Sequence, residues 1–329
     1  MAVRGAMLAA VLWLLGAGAV GAQAGAAQPP QAQQPPRFTS SVDLVSVTAV
    51  VRDRKGRFVP DLSREDFVVV EAGERRPIVG FEFDKDGPVR LAVLFDISGS
   101  MRVGSRLADA KQAARHVFSA LRPADRAALF AFDTGLDRVH EFTSDFAALE
   151  GSIDRVQPPY GQTSLYDAIA QTARIAAGDK GGRRAHRAAV VVLTDGIDTR
   201  SRLTPPQVSG IASNIDVPVY IVAVMSPIDD PRNAADDETS TSVAISGELR
   251  NLARWTGGEL FTVSTPAHAS LAARQLIAEM RNQYLLAFEA SSREGWRPLE
   301  IKARHRDHVV RARSGYTAGG GGASQELER

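Results

Sequence analysis

Five side chains in three separate stretches carry the chemistry open to this sequence. Asp96, Ser98 and Ser100 follow an apolar run and precede a helical pattern, with Gly99 between the serines. At this spacing a tight turn aims one carboxylate and two hydroxyls at a single point, and glycine tolerates the crowding of such a turn. Thr163, in GQTSLYD at 161–167, offers a third hydroxyl, and Asp195, in TDG at 194–196, a second carboxylate. All five are oxygen donors, which suit Mg²⁺, Mn²⁺ or Ca²⁺ and not zinc or copper. Each stretch also has a plainer use. Ser and Asp cap helices, Ser164 with Asp167 fits a capping box, and Asp-Gly makes turns. One site at one sheet edge accounts for all three stretches together.

Other chemistries find less support. The chain has no cysteine, which removes disulfides, thiolate metal sites and thiol nucleophiles. Its six histidines form no i,i+4 pair, against a zinc-hydrolase helix. The GxSxG pattern is absent, and Ser98 and Ser100 have no evident histidine partner, since His116 falls on the following helix and His140 on an edge strand. The 39 Lys and Arg against 38 Asp and Glu leave a formal charge of +1, which argues against a strongly basic nucleic-acid binder. The expected protein is therefore not an enzyme, with a metal-assisted hydrolase as the alternative class and a structural β-sandwich with an unused metal site as another.

The elements that position these residues read as two kinds of strand. Leu91–Phe95, Ala127–Phe132, Ala188–Leu193 and Val219–Val224 are apolar without alternation, the signature of strands covered on both faces. Between the first two, Leu107, Ala110, Ala114, Val117, Phe118 and Leu121 mark one helical face, and further helices are expected at 145–156, 163–178, 205–215, 246–256 and 267–283. Strand and helix in alternation predict a doubly wound, mostly parallel α/β sheet with helices on both faces. Val139–Thr143 follows its predecessor too closely for a crossover and reads as an antiparallel edge strand. In such a sheet, ligands bind at the C-terminal ends of the strands, where Asp96 and Asp195 fall.

The flanks alternate instead. Val45, Val47, Ala49 and Val51 lead to a turn at Arg54-Lys55-Gly56, then Phe67–Val70 and Val79–Phe83. After the last helix come Tyr284–Phe288, then Leu299, Ile301 and Ala303, then Val309–Arg313. These are half-buried antiparallel strands, too few on either side for a comfortable sheet. The expectation is one β-sandwich formed jointly by both flanks, with the α/β domain inserted between them.

Residues 96–100 (DISGS), Thr163 and Asp195 resemble the three-part metal-ion-dependent adhesion site of von Willebrand factor A domains, and the likeness runs over about 88–283. The segments 63–78 (SREDFVVVEAGERRPI), 281–290 and 309–318 are similar to those of bacterial secreted von Willebrand factor A-related proteins. The resemblance implies that Ser98, Ser100 and Thr163 ligate Mg²⁺ directly or nearly so, with Asp96 and Asp195 acting partly through water. It implies adhesion or scaffolding, with a protein partner presenting an Asp or Glu carboxylate.

The termini read as follows. Residues 1–24 carry Arg4, an apolar run from Ala6 to Val20 and a small-x-small Ala22-Gln23-Ala24, the pattern of a secretory signal, with a retained anchor as the alternative. Residues 25–37 form a Pro- and Gln-rich linker, 38–87 and 284–318 the two β segments, and 319–329 a glycine-rich tail. A secreted or periplasmic protein is expected, with no membrane span in the mature chain. Smaller features are read plainly. The acidic stretch 226–245 and the basic cluster Lys180–Arg187 are solvated loops, Asp133 starts a turn, and Trp255 packs in the core before a Gly257-Gly258 helix stop. Arg102 and Arg106 either steer an acidic partner or are ordinary surface charge.

Overall fold

The computed structural model describes residues 44–85, 87–157, 161–178, 187–225, 241–291 and 293–318. The expected signal, linker and tail lie outside these residues, as do Lys180 to His186 and 226–240. The chain enters through β1 (Leu44–Asp53), β2 (Phe67–Glu71), β3 (Glu74–Arg76) and β4 (Ile78–Asp84). In β1, Val47, Ala49 and Val51 are buried while Ser46 and Thr48 are not, so the sequence alternation is the physical face of the strand. Ala72 and Gly73 both have positive φ, the two-residue turn whose twist suits the β2–β3 hairpin.

The α/β domain follows as β5 (Val89–Asp96), α1 (Arg106–Ser119), β6 (Arg126–Phe132), β7 (Leu136–Thr143), α2 (Phe146–Arg155) and α3 (Leu165–Ala177). It continues through β8 (Arg187–Thr194), α4 (Pro205–Asn214), β9 (Val219–Val224), α5 (Thr241–Trp255), β10 (Leu260–Val263) and α6 (Pro266–Arg281). The sheet order is β10-β9-β8-β5-β6-β7, parallel except for the antiparallel edge strand β7. Successive residues of β5 pack to opposite sides. Leu91, Val93 and Phe95 meet α1, α2 and α6, whereas Ala92 and Leu94 meet α3, α4 and α5. That two-sided burial is why the strand reads as an unbroken apolar run.

Three details differ from the sequence expectation. β10 is a strand that the apolar pattern did not reveal, because four residues after a Gly-Gly pair give too short a run to show a period. The helix expected at 246–256 starts at Thr241, inside the stretch read as a loop. Trp255 is only half-buried. Its carbonyl does the joining, accepting from the Ser314 amide at 2.9 Å and the Ser213 hydroxyl at 3.1 Å.

The chain then returns through β11 (Gln283–Glu289), β12 (Gly295–Ala303), β13 (His308–Ala312) and β14 (Gly315–Ala318). One sheet runs β13-β1-β11-β4 and the other β14-β12-β2-β3, so each interleaves strands from both flanks. Their facing sides close over Val47, Phe67, Val69, Tyr284, Leu286, Phe288 and Ile301. Neither flank holds a complete sheet, which is the joint sandwich expected from the alternating patterns. Among the described residues no helix is long and apolar enough to cross a membrane.

Candidate functional site

β5 has β6 on one side and β8 on the other, and the chain leaves β5 toward β6 through α1. The C-terminal ends of β5 and β8 therefore border a topological switch point, where open α/β sheets form a ligand crevice. Asp96 is the last residue of β5 and is fully buried. Its Oδ1 accepts from the Ser98 amide at 2.8 Å, and its Oδ2 accepts from the Thr194 hydroxyl, at the end of β8, at 2.5 Å. The Ile97 amide donates to Phe132 O at 2.9 Å and fastens the turn to β6. The hydroxyls of Ser98 and Ser100 lie 3.0 Å apart. Residues 99–102 make a 3-10 turn, but Ser98 does not cap it with its side chain. The capping use of this serine is thus not realised, and its hydroxyl stays with Ser100.

Thr163 reaches the same edge by backbone stitching. The Gly99 amide donates to Gly161 O at 3.1 Å, and Thr163 O accepts from the amides of Thr199 and Arg200 at 3.0 and 2.9 Å. Thr163 itself is buried. The capping box read for Ser164 and Asp167 does not form. Instead Asp198 Oδ1 takes the Leu165 amide at 2.8 Å, and the Ser201 hydroxyl takes that of Tyr166 at 2.9 Å. The N-terminus of α3 is capped from the loop after β8, so the Thr163 and Asp195 loops are one unit. Asp133 does start its turn, accepting from the Gly135 amide at 3.1 Å, while its carbonyl takes the Ser164 amide at 2.7 Å.

Asp195 is joined to the first loop by a residue that the sequence reading left undecided. Arg106, the first residue of α1, donates from one Nη1 to Asp195 Oδ2 at 2.9 Å and to Ser100 O at 3.3 Å. Burial pushes the Asp96 carboxyl up to about 7, against the lowering by the Thr194 and Ser98 hydrogen bonds, with the Asp195 charge adding to the rise. Among the described residues Asp96 forms no ion pair with Lys or Arg. A buried carboxylate with no cation of its own, ringed by hydroxyls and a second carboxylate, fits a hard divalent ion in charge and donor type. Among the described residues no three His, Cys, Asp or Glu side chains gather into an alternative metal cluster.

Residues 91–197 match the family model of the von Willebrand factor type A domain, a span that contains all five oxygen-donor residues. No curated protein matches the chain at a significant level. Among solved structures, the chain resembles BatB, a conserved hypothetical protein from Bacteroides thetaiotaomicron, with 19% identity and a TM-score of 0.46 over 58% of this chain and 98% of that one. A von Willebrand factor type A protein from Catenulispora acidiphila aligns at 15% identity and TM-score 0.46, over 74% and 75% of the two chains. Proximal thread matrix protein 1 from the mussel byssus, with a zinc-occupied MIDAS motif, aligns at 18% identity and TM-score 0.45, over 64% of this chain and 49% of that one. On the family match, this chain contains a von Willebrand factor type A domain.

Proposed function

We propose that the protein is a non-enzymatic, metal-dependent protein-binding module. Ser98, Ser100 and Thr163 contribute hydroxyls and Asp96 and Asp195 carboxylates to a Mg²⁺ site, with Mn²⁺ or Ca²⁺ as possible substitutes. The observation that supports this most strongly is Asp96, fully buried at the switch point, with its two oxygens held by Ser98 and Thr194 and no basic partner among the described residues. Bound Mg²⁺ would supply an exchangeable coordination position that a partner's Asp or Glu carboxylate fills. The chain's own residues keep that position electrophilic: neutral hydroxyls dominate the donor set, and Thr194 and the Ser98 amide share the negative charge of Asp96. His116 lies in the last turn of α1 and His140 on β7.

Residues 88–283 form the binding domain in this reading, framed by the β segments 38–87 and 284–318, in a protein exported by residues 1–24, with 25–37 as the linker and 319–329 as the tail. The proposed setting is secreted or periplasmic, with adhesion or scaffolding as the task. Titration calorimetry with Mg²⁺ and Mn²⁺, combined with pull-down in the presence or absence of EDTA, tests the reading. Wild type is expected to bind the ion and to lose partners in EDTA, and Asp195→Ala to lose both. Absence of Mg²⁺ and Mn²⁺ binding would overturn the metal site, and partners indifferent to both EDTA and Asp195→Ala would overturn its role in recognition.

A further inference from the structure

Beside the oxygen-donor cluster lies a recess of about 230 Å³, walled by the β6–β7 turn, the first turns of α3 and the loop after β8. Its walls include Leu136, Ser164, Asp167, Gln171, Arg200 and Arg202. Two of these residues adjoin Thr163. Ser164 follows it in sequence, and the Arg200 amide donates to its carbonyl at 2.9 Å. The volume falls below the ~300 Å³ at which small-molecule pockets begin, so the space suits a side chain better than a cofactor.

The charge of the recess selects the side chain. Arg200 and Arg202 are exposed, and among the described residues neither forms an ion pair with a carboxylate. Arg200 is held by a neutral partner, donating to Gln162 Oε1 at 2.7 Å. The one carboxylate in the wall, Asp167, already accepts from the amides of Arg202 and Leu203, the latter at 2.9 Å. Two arginines thus line the recess against one hydrogen-bonded carboxylate. The amides of the first turn of α3 are taken by Asp198 and Ser201, so the arginines and not the helix end would receive an anion.

We propose that this recess is a specificity subsite for a second acidic side chain of the partner, close in sequence to the carboxylate held at the ion. The inference rests on the metal-dependent reading above and narrows the partner to a segment bearing two carboxylates. On an extended segment, residues i and i+2 share a face and stand ~7 Å apart, a spacing suited to neighbouring sites.

The test uses the full chain in Mg²⁺ and three peptides, acetyl-Gly-Asp-Gly-Glu-Gly-amide and its versions with Gln or Lys in place of Glu, with binding followed by NMR titration. The Glu peptide is expected to bind about tenfold tighter than the Gln peptide, the range of one charge-assisted hydrogen bond. It should also shift the amides of 134–136 and 200–202. Arg200→Gln with Arg202→Gln should abolish the preference, and Arg202→Glu should turn it toward the Lys peptide, a reversal that misfolding cannot mimic. Equal affinity for the Glu and Gln peptides, or a preference that survives the double substitution, overturns the subsite while leaving the metal reading intact. Binding of the Gln peptide that is the same in Mg²⁺ and EDTA overturns the metal reading instead, and no binding by any peptide overturns both.

Discussion

The guanidinium of Arg106 and the carboxylate of Asp195, 89 positions apart in the chain, meet at 2.9 Å between the first and last loops of the proposed metal site. The same Nη1 holds Ser100 O, so one cation ties the first loop of the site to the last. Its charge also opposes an arriving divalent ion. A unit charge ~6 Å from a divalent ion costs up to ~5–6 kcal/mol at an effective dielectric of ~20, and screening of this partly exposed side chain reduces that. Arg106→Gln is therefore expected to tighten Mg²⁺ binding by about tenfold and to lower the melting temperature in EDTA. Calorimetry showing unchanged or weaker binding would count against this role.

Glu279 of α6 is fully buried and ion-paired to Arg52 of β1 and Arg311 of β13, so a single carboxylate joins the α/β domain to the sandwich. Burial pushes its carboxyl from 4.5 up to about 7, against the lowering by Arg311 and Arg52. The folded state then holds more protons than the unfolded one between those values, and stability falls as pH rises through that window. Glu279→Gln should lack this fall. Asp96 is also raised to about 7, but wild type and variant share it, so the difference between their urea midpoints across pH 4.5 to 7 reports Glu279 together with its neighbour Glu259. Parallel midpoint curves would refute the assignment.

Gly258 allows α5 to turn directly onto the start of β9. A Cβ there would sit 2.0 Å from Val219 O and 2.5 Å from Val219 C, both backbone atoms that cannot step aside. Gly258→Ala should cost more than ~3 kcal/mol through overpacking. Gly210, inside α4, has nothing within 4 Å of such a Cβ, and Gly210→Ala should stabilise by ~0.5–1 kcal/mol. Chemical denaturation of the two variants should give opposite signs.

The inserted arrangement makes the effect of one substitution depend on the rest of the chain. A polypeptide of residues 88–283 keeps Glu279 but loses both Arg52 and Arg311. In the whole chain at pH 8, Glu279→Ala should destabilise by ~1–3 kcal/mol, because the half-buried guanidiniums of Arg52 and Arg311 lose their acceptor. In the 88–283 polypeptide it should be neutral or stabilising. Equal losses in both backgrounds, read from urea midpoints, would sink this account of the interface.

Much of the architecture follows from local pattern. The unbroken apolar run of Leu91–Phe95 and the alternation of Val45 to Val51 report burial on two faces and on one, and these periods survive in any fold the chain adopts. The DISGS spacing likewise dictates that Asp96, Ser98 and Ser100 share a turn, because a few bonds separate them. β10 escaped because its four residues are too short to show a period.

What only the tertiary structure decided lies between residues far apart in sequence. Neither the Arg106–Asp195 pair nor the capping of α3 by Asp198 and Ser201 has a local signature, since the partners stand 33 to 89 positions apart in the chain. The same holds for Gly258, whose need for a bare Cα comes from Val219 on another strand. Glu279 looks like any helical glutamate until β1 and β13 place two guanidiniums against it. Side-chain periodicity is set by backbone geometry within one element, whereas charge pairing and close backbone approach depend on distances that exist only once the elements have packed.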